Sequence, residues 1–239
     1  ISLIRSAWAG SAKYGALVWS GDIVSTFECF RRQVQAGLNM AIAGIPWWTT
    51  DIGGFHGART DDPDFHRLYI RWFEYGCFCP VMRLHGNRNP QEGYGAEQIG
   101  SGSDNEIWSF GDKAYEISKK YIFLRERLRD YIRTQMKKAH EDGTPMMRPV
   151  FYDFPTDQES WNVEDAYLFG PDLYVAPVME DHVTEREVYL PDGTAWFNAW
   201  TGEKYEGGQN VTVAAPLDTI PVFVKEGADA EKLLNIFSE

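Results

Sequence analysis

Ala16-Leu17-Val18-Trp19-Ser20-Gly21-Asp22-Ile23-Val24-Ser25-Thr26-Phe27 is the stretch whose reading decides the fold. Residues 16–19 are apolar without alternation, as in a strand buried on both faces. Gly21 permits a sharp turn, and Asp22 follows it. A helix is then expected, because Ser25 and Glu28 have capping-box spacing, and Phe27, Phe30, Val34 and Leu38 recur at helical intervals. Strand, polar turn and helix in that order point to a parallel sheet covered by helices.

The pattern repeats on either side. Residues 2–4 form the end of an apolar strand that delivers Arg5. Residues 40–45, closed by Pro46, make a third short apolar run before Asp51 in a glycine-rich loop. Asp64 is placed to cap a helix carrying Leu68, Trp72 and Phe73. Residues 77–82 give a fourth run, delivering Arg83 and His85. After a polar loop, one long helix is expected over 113–140, stopped by Gly143 and Pro145. Each candidate residue follows the carboxyl end of a strand, where α/β barrels place their active sites. Four such strands make half of the eight that a barrel needs. A doubly wound sheet would lack its glycine-rich phosphate turn.

After Pro145 the segments at 147–152, 173–178, 186–190, 195–199, 211–214 and 221–224 are short, β-branched and aromatic. Turns such as Pro191-Asp192-Gly193 and Gly207-Gly208 separate them, as in an antiparallel β-sandwich. The expected division is residues 1–144 for the half barrel and 145–227 for the sandwich. Residues 228–239 are a linker, a short helix or the start of a further domain.

Composition narrows the function. The net charge of −12 argues against nucleic acid, since no basic stripe exists to release counterions. The longest apolar stretch, residues 37–48, is too short to span a bilayer and contains Pro46. Cys29, Cys77 and Cys79 have no useful disulfide spacing, so buried reduced thiols are expected, which favours the cytoplasm. Cys77 and Cys79 with His85 lack zinc-knuckle spacing, and no Gly-x-Ser-x-Gly nucleophile elbow occurs. Nine Trp residues suit a saccharide site, because flat rings pack on apolar sugar faces, and suit an aromatic core equally.

Glycoside hydrolysis needs two carboxyl groups flanking the scissile bond, one to protonate the leaving oxygen and one opposite. The donor must carry its proton near neutral pH, which asks for apolar or like-charged surroundings. Asp22 is placed for that role, with the Trp19 indole expected to shield it. A plain helix cap is the competing reading of Asp22. Asp51 offers a second carboxylate, unless it only bonds its own loop backbone. Arg5, Arg83 and His85 can bond sugar hydroxyls, or form structural ion pairs.

The blocks Arg5-Ser6-Ala7-Trp8-Ala9-Gly10, Trp19-Ser20-Gly21-Asp22, Asp51-Ile52-Gly53-Gly54-Phe55 and Arg83-Leu84-His85-Gly86 resemble glycoside hydrolase family 31 in order and spacing. That family includes α-glucosidases and α-xylosidases. The likeness continues through Met146-Met147-Arg148-Pro149 and residues 170–177. It implies a (β/α)8 TIM barrel, of which this chain is the C-terminal half, followed by the family's β-sandwich. It implies a retaining α-glycosidase in which Asp22 is the general acid/base with Trp19 beside it. Arg5 and His85 would bind the sugar at the cleaved position, Phe55 would line that pocket, and Asp51 and Arg83 would lie nearby. No metal or organic cofactor is needed. The family's nucleophilic Asp sits in a motif like Trp-x-Asp-Met-Asn-Glu, which does not occur in these 239 residues. The chain is therefore expected to be a fragment whose partners are an α-linked glycoside or oligosaccharide and an N-terminal half, with a homo-oligomer also possible. The alternative is a carbohydrate-binding fragment that hydrolyses nothing.

Overall fold

The computed structural model describes residues 1–90 and 102–238. The polar loop expected after His85 runs into residues 91–101, and that part lies outside the described residues. The N-terminal region holds three parallel strands, β1 (Ser2–Ile4), β2 (Ala16–Trp19) and β3 (Trp48–Thr49), in that order across the sheet. Leu3 lies opposite Leu17, and Val18 opposite Trp48. Helix α1 (Phe27–Ile42) links β2 to β3, and α2 (Pro63–Cys77) follows β3. Phe30 of α1 stacks on Trp72 of α2, with ring centroids 4.9 Å apart. Both rings are fully buried, and each contributes about 1.5–3 kcal/mol of burial. Gly37 lets α1 lie against β3, since a Cβ there would sit 2.7 Å from the Trp48 indole nitrogen.

Several local expectations are corrected. Thr26, not Ser25, caps α1, its hydroxyl accepting from the Cys29 amide at 3.1 Å. Ser25 is drawn away because its amide donates to the His56 carbonyl at 2.8 Å. Asp62, not Asp64, caps α2 and accepts from the Asp64 amide, with Pro63 in the first turn. The run at 40–45 ends α1 instead of forming a strand: the Ala43 and Ile45 amides bond back to Asn39 and Met40. β3 starts only at Trp48.

The run at 77–82 is not a strand either. Cys77 closes α2, and Pro80 has no N–H to give a ladder. The segment keeps one bond to β3, from Val81 N to Trp48 O (3.2 Å), and just beyond both, Ile52 N donates to Arg83 O (3.3 Å). The Tyr167 hydroxyl donates to the Phe78 carbonyl at 2.9 Å, and one arginine takes three more. Arg125 donates to Cys77 (2.6 Å), Cys79 (2.9 Å) and Pro80 (3.0 Å). Burial holds the Arg125 pKa below its ordinary value.

The expected long helix is two, α3 (Gly111–Arg127) and α4 (Arg129–Glu141), parted at Leu128. The bonds Leu128 N to Leu124 O (3.0 Å) and Ile132 N to Leu128 O (2.9 Å) carry the chain through the junction. A fully buried Leu128 anchors it.

The C-terminal region is antiparallel. β4 (Met147–Arg148), β5 (Tyr167–Phe169), β6 (Leu173–Val175), β8 (Ala195–Asn198), β9 (Lys204–Glu206) and β11 (Val222–Lys225) form one sheet in the order β4-β5-β6-β11-β8-β9. β7 (Glu185–Leu190) and β10 (Gln209–Ala214) form a two-stranded ribbon. Strands β5 and β9 were not anticipated. The segment expected as one strand over 147–152 turns at Pro149 into a short helix, α5 (Val150–Asp153). Leu168, Tyr174, Trp196 and Phe223 face the ribbon's Val188, Leu190, Val211 and Val213. Their neighbours Tyr167, Phe169, Val175, Val222 and Val224 join the core of the N-terminal region. The inner strands β5, β6 and β11 are thus buried on both faces and do not alternate with polar residues, whereas the edge strand β9 is exposed.

Polar contacts also join the regions. Arg71 of α2, 3% exposed, donates to the carbonyls of Ala215 (2.7 Å), Pro216 (3.0 Å) and Val183 (3.2 Å) and to Glu74 (3.2 Å). Burial pushes the Glu74 pKa up to about 8, against the pull of Arg71. The tail, expected as a linker, a short helix or the start of a further domain, is helix α6 (Ala230–Ser238). Its Phe237 meets Trp200 edge-on at 5.1 Å, and Arg127 donates to the Ile236 carbonyl at 2.9 Å. Cys77 and Cys79 are buried free thiols; Cys29, expected buried, is only half-buried. Among the described residues no helix is long and apolar enough to cross a membrane.

Candidate active site

The three parallel strands point their carboxyl ends the same way, and the residues just beyond them gather at that end. Arg5 follows β1, Asp22 follows β2, and Asp51 follows β3. Arg5 donates to Asp22 across 3.2 Å, with side-chain exposures of 67% and 40%. Within this chain the Asp22 carboxylate is partly open to solvent and ion-paired with Arg5. Trp19 is half-buried at the end of β2, in register with Thr49. One residue on, the Ser20 and Thr50 hydroxyls are 3.2 Å apart and tie the two strand ends together.

Asp51 is fully buried and paired with Arg83 through Oδ1, while its Oδ2 is buried without a partner. Desolvation raises the Asp51 pKa to about 6, with Arg83 and Arg88 opposing and Asp22 adding to the rise. Phe55 lies 5.4 Å from the His85 ring and 4.4 Å from that of His56. The pKa of His85 is lowered by partial burial, then by the charges of Arg83 and Arg88, against the pull of Asp22. The structure thus brings Arg5 to Asp22, Arg83 to Asp51, and Phe55 to His85.

Arg88 is the residue that sequence reasoning missed. It is fully buried and donates to the carbonyls of Ile52 (3.0 Å) and Gly54 (2.7 Å) and to Asn105 Oδ1 (2.8 Å). Its guanidinium also lies 4.8 Å from the Phe65 ring centroid. Arg88 fixes the loop on which Asp51 and Phe55 sit. No local signal marks it, because its partners on that loop are backbone carbonyls far back in the chain.

The sequence pattern of the glycosyl hydrolases family 31 TIM-barrel domain matches residues 1–135, and that of the family's C-terminal domain matches residues 143–228. The chain belongs to glycosyl hydrolase family 31. Its three parallel strands and their helices are part of the family's TIM barrel, and the antiparallel sheets are its C-terminal domain. A family 31 α-xylosidase from a soil metagenome, solved with xylose, is 54% identical, with a TM-score of 0.93 over 97% of this chain and 35% of that one. An α-xylosidase of Saccharolobus solfataricus is 39% identical over 95% of this chain and 29% of its own length. Alpha-glucosidase 2 of Bacillus thermoamyloliquefaciens is 35% identical over 95% of this chain and 26% of its own length. The chain therefore spans less than a third of these two relatives.

Proposed function

We propose that the enzyme to which this chain belongs removes terminal α-linked sugars, xylose above all, with retention of configuration, and that Asp22 is its general acid/base. The observation that carries this is the position of Asp22: just beyond the carboxyl end of the middle of the three parallel strands, and near enough for its charge to act on His85 and Asp51. The names of the relatives, α-xylosidases and an α-glucosidase, support the substrate class.

In the first step a carboxylate from outside these residues attacks the anomeric carbon. The bond to the leaving oxygen breaks as Asp22 gives that oxygen its proton. In the second, Asp22 takes a proton from water, whose oxygen displaces the carboxylate and frees the sugar. The two carboxyls should stand about 5–5.5 Å apart. Arg5 and His85 bind hydroxyls of the sugar at the cleaved position in the pocket that Phe55 lines, and Asp51 with Arg83 forms its floor.

The test uses the intact enzyme. Asp22→Ala should cut kcat/KM on an unactivated α-xyloside by about 10²–10⁴ and lose far less on nitrophenyl α-xyloside, whose leaving group needs little protonation. Equal losses on both substrates would remove Asp22 from the acid role. A preference for nitrophenyl α-glucoside over α-xyloside would overturn the sugar assignment.

A further inference from the structure

We infer that this chain carries a second saccharide-binding site, away from the catalytic end, built on the exposed indole of Trp161. The choice of an α-linked oligosaccharide as its ligand rests on the proposed function; the site itself does not.

Trp161 is 55% exposed yet held on two sides. Its ring stacks on Phe151 at 4.5 Å with a 7° tilt, and its Nε1 donates to the Pro155 carbonyl at 3.1 Å. A large apolar ring fixed in water is a binding platform that needs no ordering when a ligand arrives. It borders an open groove of about 420 Å³ between the second half of α1 and residues 149–164. That size lies within the range of ligand clefts, roughly 300–1,000 Å³.

The polar wall of the groove defines the ligand. Gln35 donates to Glu164 at 3.2 Å, and the Asn39 amide donates to the Gln35 carbonyl at 3.0 Å. Each amide keeps a second N–H as a donor, and the Asn39 amide oxygen and the second Glu164 oxygen remain as acceptors. Among the described residues no lysine or arginine lines the groove. An anionic ligand would meet a carboxylate with no cation to offset it. A neutral polyol satisfies every surface: its C–H face lies on the indole, and its hydroxyls donate to the acceptors.

The site is separate from the catalytic end. Asn39 lies 12 residues along α1 from Phe27, roughly 18 Å at the helical rise, while Asp22 precedes the start of that helix. A polysaccharide held here would keep the enzyme on a long substrate without occupying the catalytic pocket.

Native gel electrophoresis of the intact enzyme through embedded dextran, soluble starch or xyloglucan tests this. The wild type should be retarded by at least one of the three. Trp161→Ala should weaken that retardation by about tenfold or more, and Trp161→Phe by less. Trp161→Ala should hydrolyse nitrophenyl α-xyloside at the wild-type rate at a temperature below its own melting transition, which the lost stack on Phe151 lowers slightly. His85→Ala, changed at the catalytic end, should stay retarded. A wild type that none of the polysaccharides slows, retardation lost in His85→Ala, or Trp161→Ala slowed like the wild type would each overturn the site. So would a change of solution mass in Trp161→Ala, which would make this face a contact between copies. Failure of the proposed function would show differently, as retardation without hydrolysis of the nitrophenyl glycosides.

Discussion

Arg88 reaches back 34 residues to hold Gly54, its Nη1 donating to the Gly54 carbonyl oxygen at 2.7 Å from a fully buried position. A guanidinium is suited to this because its donors lie in a fixed plane and satisfy several carbonyls at once. The carboxylate of Asp51 and the ring of Phe55 thereby owe their positions to a residue outside their own loop.

Arg88→Met should cost about 3 kcal/mol, since the Ile52 and Gly54 carbonyls lose their donor in a buried setting. The urea midpoint reads this directly. An unchanged midpoint would mean the loop holds itself.

Gly54 faces two constraints. Its φ is +78°, and a Cβ would stand 2.7 Å from the Ser25 Cα and 2.8 Å from the Val24 carbonyl oxygen, both backbone. Gly54→Ala should lose about 2–4 kcal/mol, from the left-handed conformation and the collision together. Thermal denaturation of the variant checks it, and hydrolysis should fall with the displaced loop.

Asp51 imposes a pH dependence on folding. Its folded pKa is about 6 against an ordinary value of 3.8, so between about pH 4 and 6 the folded chain holds a proton that the unfolded chain releases. The contribution of this group is greatest below about pH 4 and falls as pH rises to about 6, by up to about 3 kcal/mol. Asp51→Asn should abolish that fall. Unfolding free energies measured from pH 4 to 7 should diverge between wild type and variant, and parallel curves would contradict the buried carboxyl.

Arg71→Met should destabilise by about 3–5 kcal/mol. It removes the guanidinium that offsets the burial of Glu74 and frees four carbonyls of the C-terminal domain. Because the two regions also share one apolar core, differential scanning calorimetry should show a single transition at a lower temperature in the variant, and an unchanged transition would remove the clamp.

Arg5→Ala should behave in the opposite way. Its pair with Asp22 is largely exposed, so stability should change by less than about 1 kcal/mol. Turnover of α-xylosides should nonetheless drop at least about tenfold, because the side chain holds Asp22 at the strand end. A variant with wild-type kcat/KM would take Arg5 out of the site.

The alternation of apolar strands with amphipathic helices, the turn that presents Asp22, and the change to β texture after Pro145 were all legible in the sequence. Each rests on spacing within one segment: period, cap and turn residues act over a few positions. The motif blocks were legible for the same reason.

What the tertiary structure alone decided is which apolar runs become strands and where the site's supports come from. Residues 40–45 and 77–82 have strand composition, yet one finishes a helix and the other gives its carbonyls to Arg125, which lies more than 40 residues further on. The pairing of Asp51 with Arg83 and the grip of Arg88 on Gly54 likewise span tens of residues. A strand exists only where a neighbour takes its hydrogen bonds, and a buried charge lasts only where partners converge on it. Those partners are fixed by packing, which no local spacing encodes.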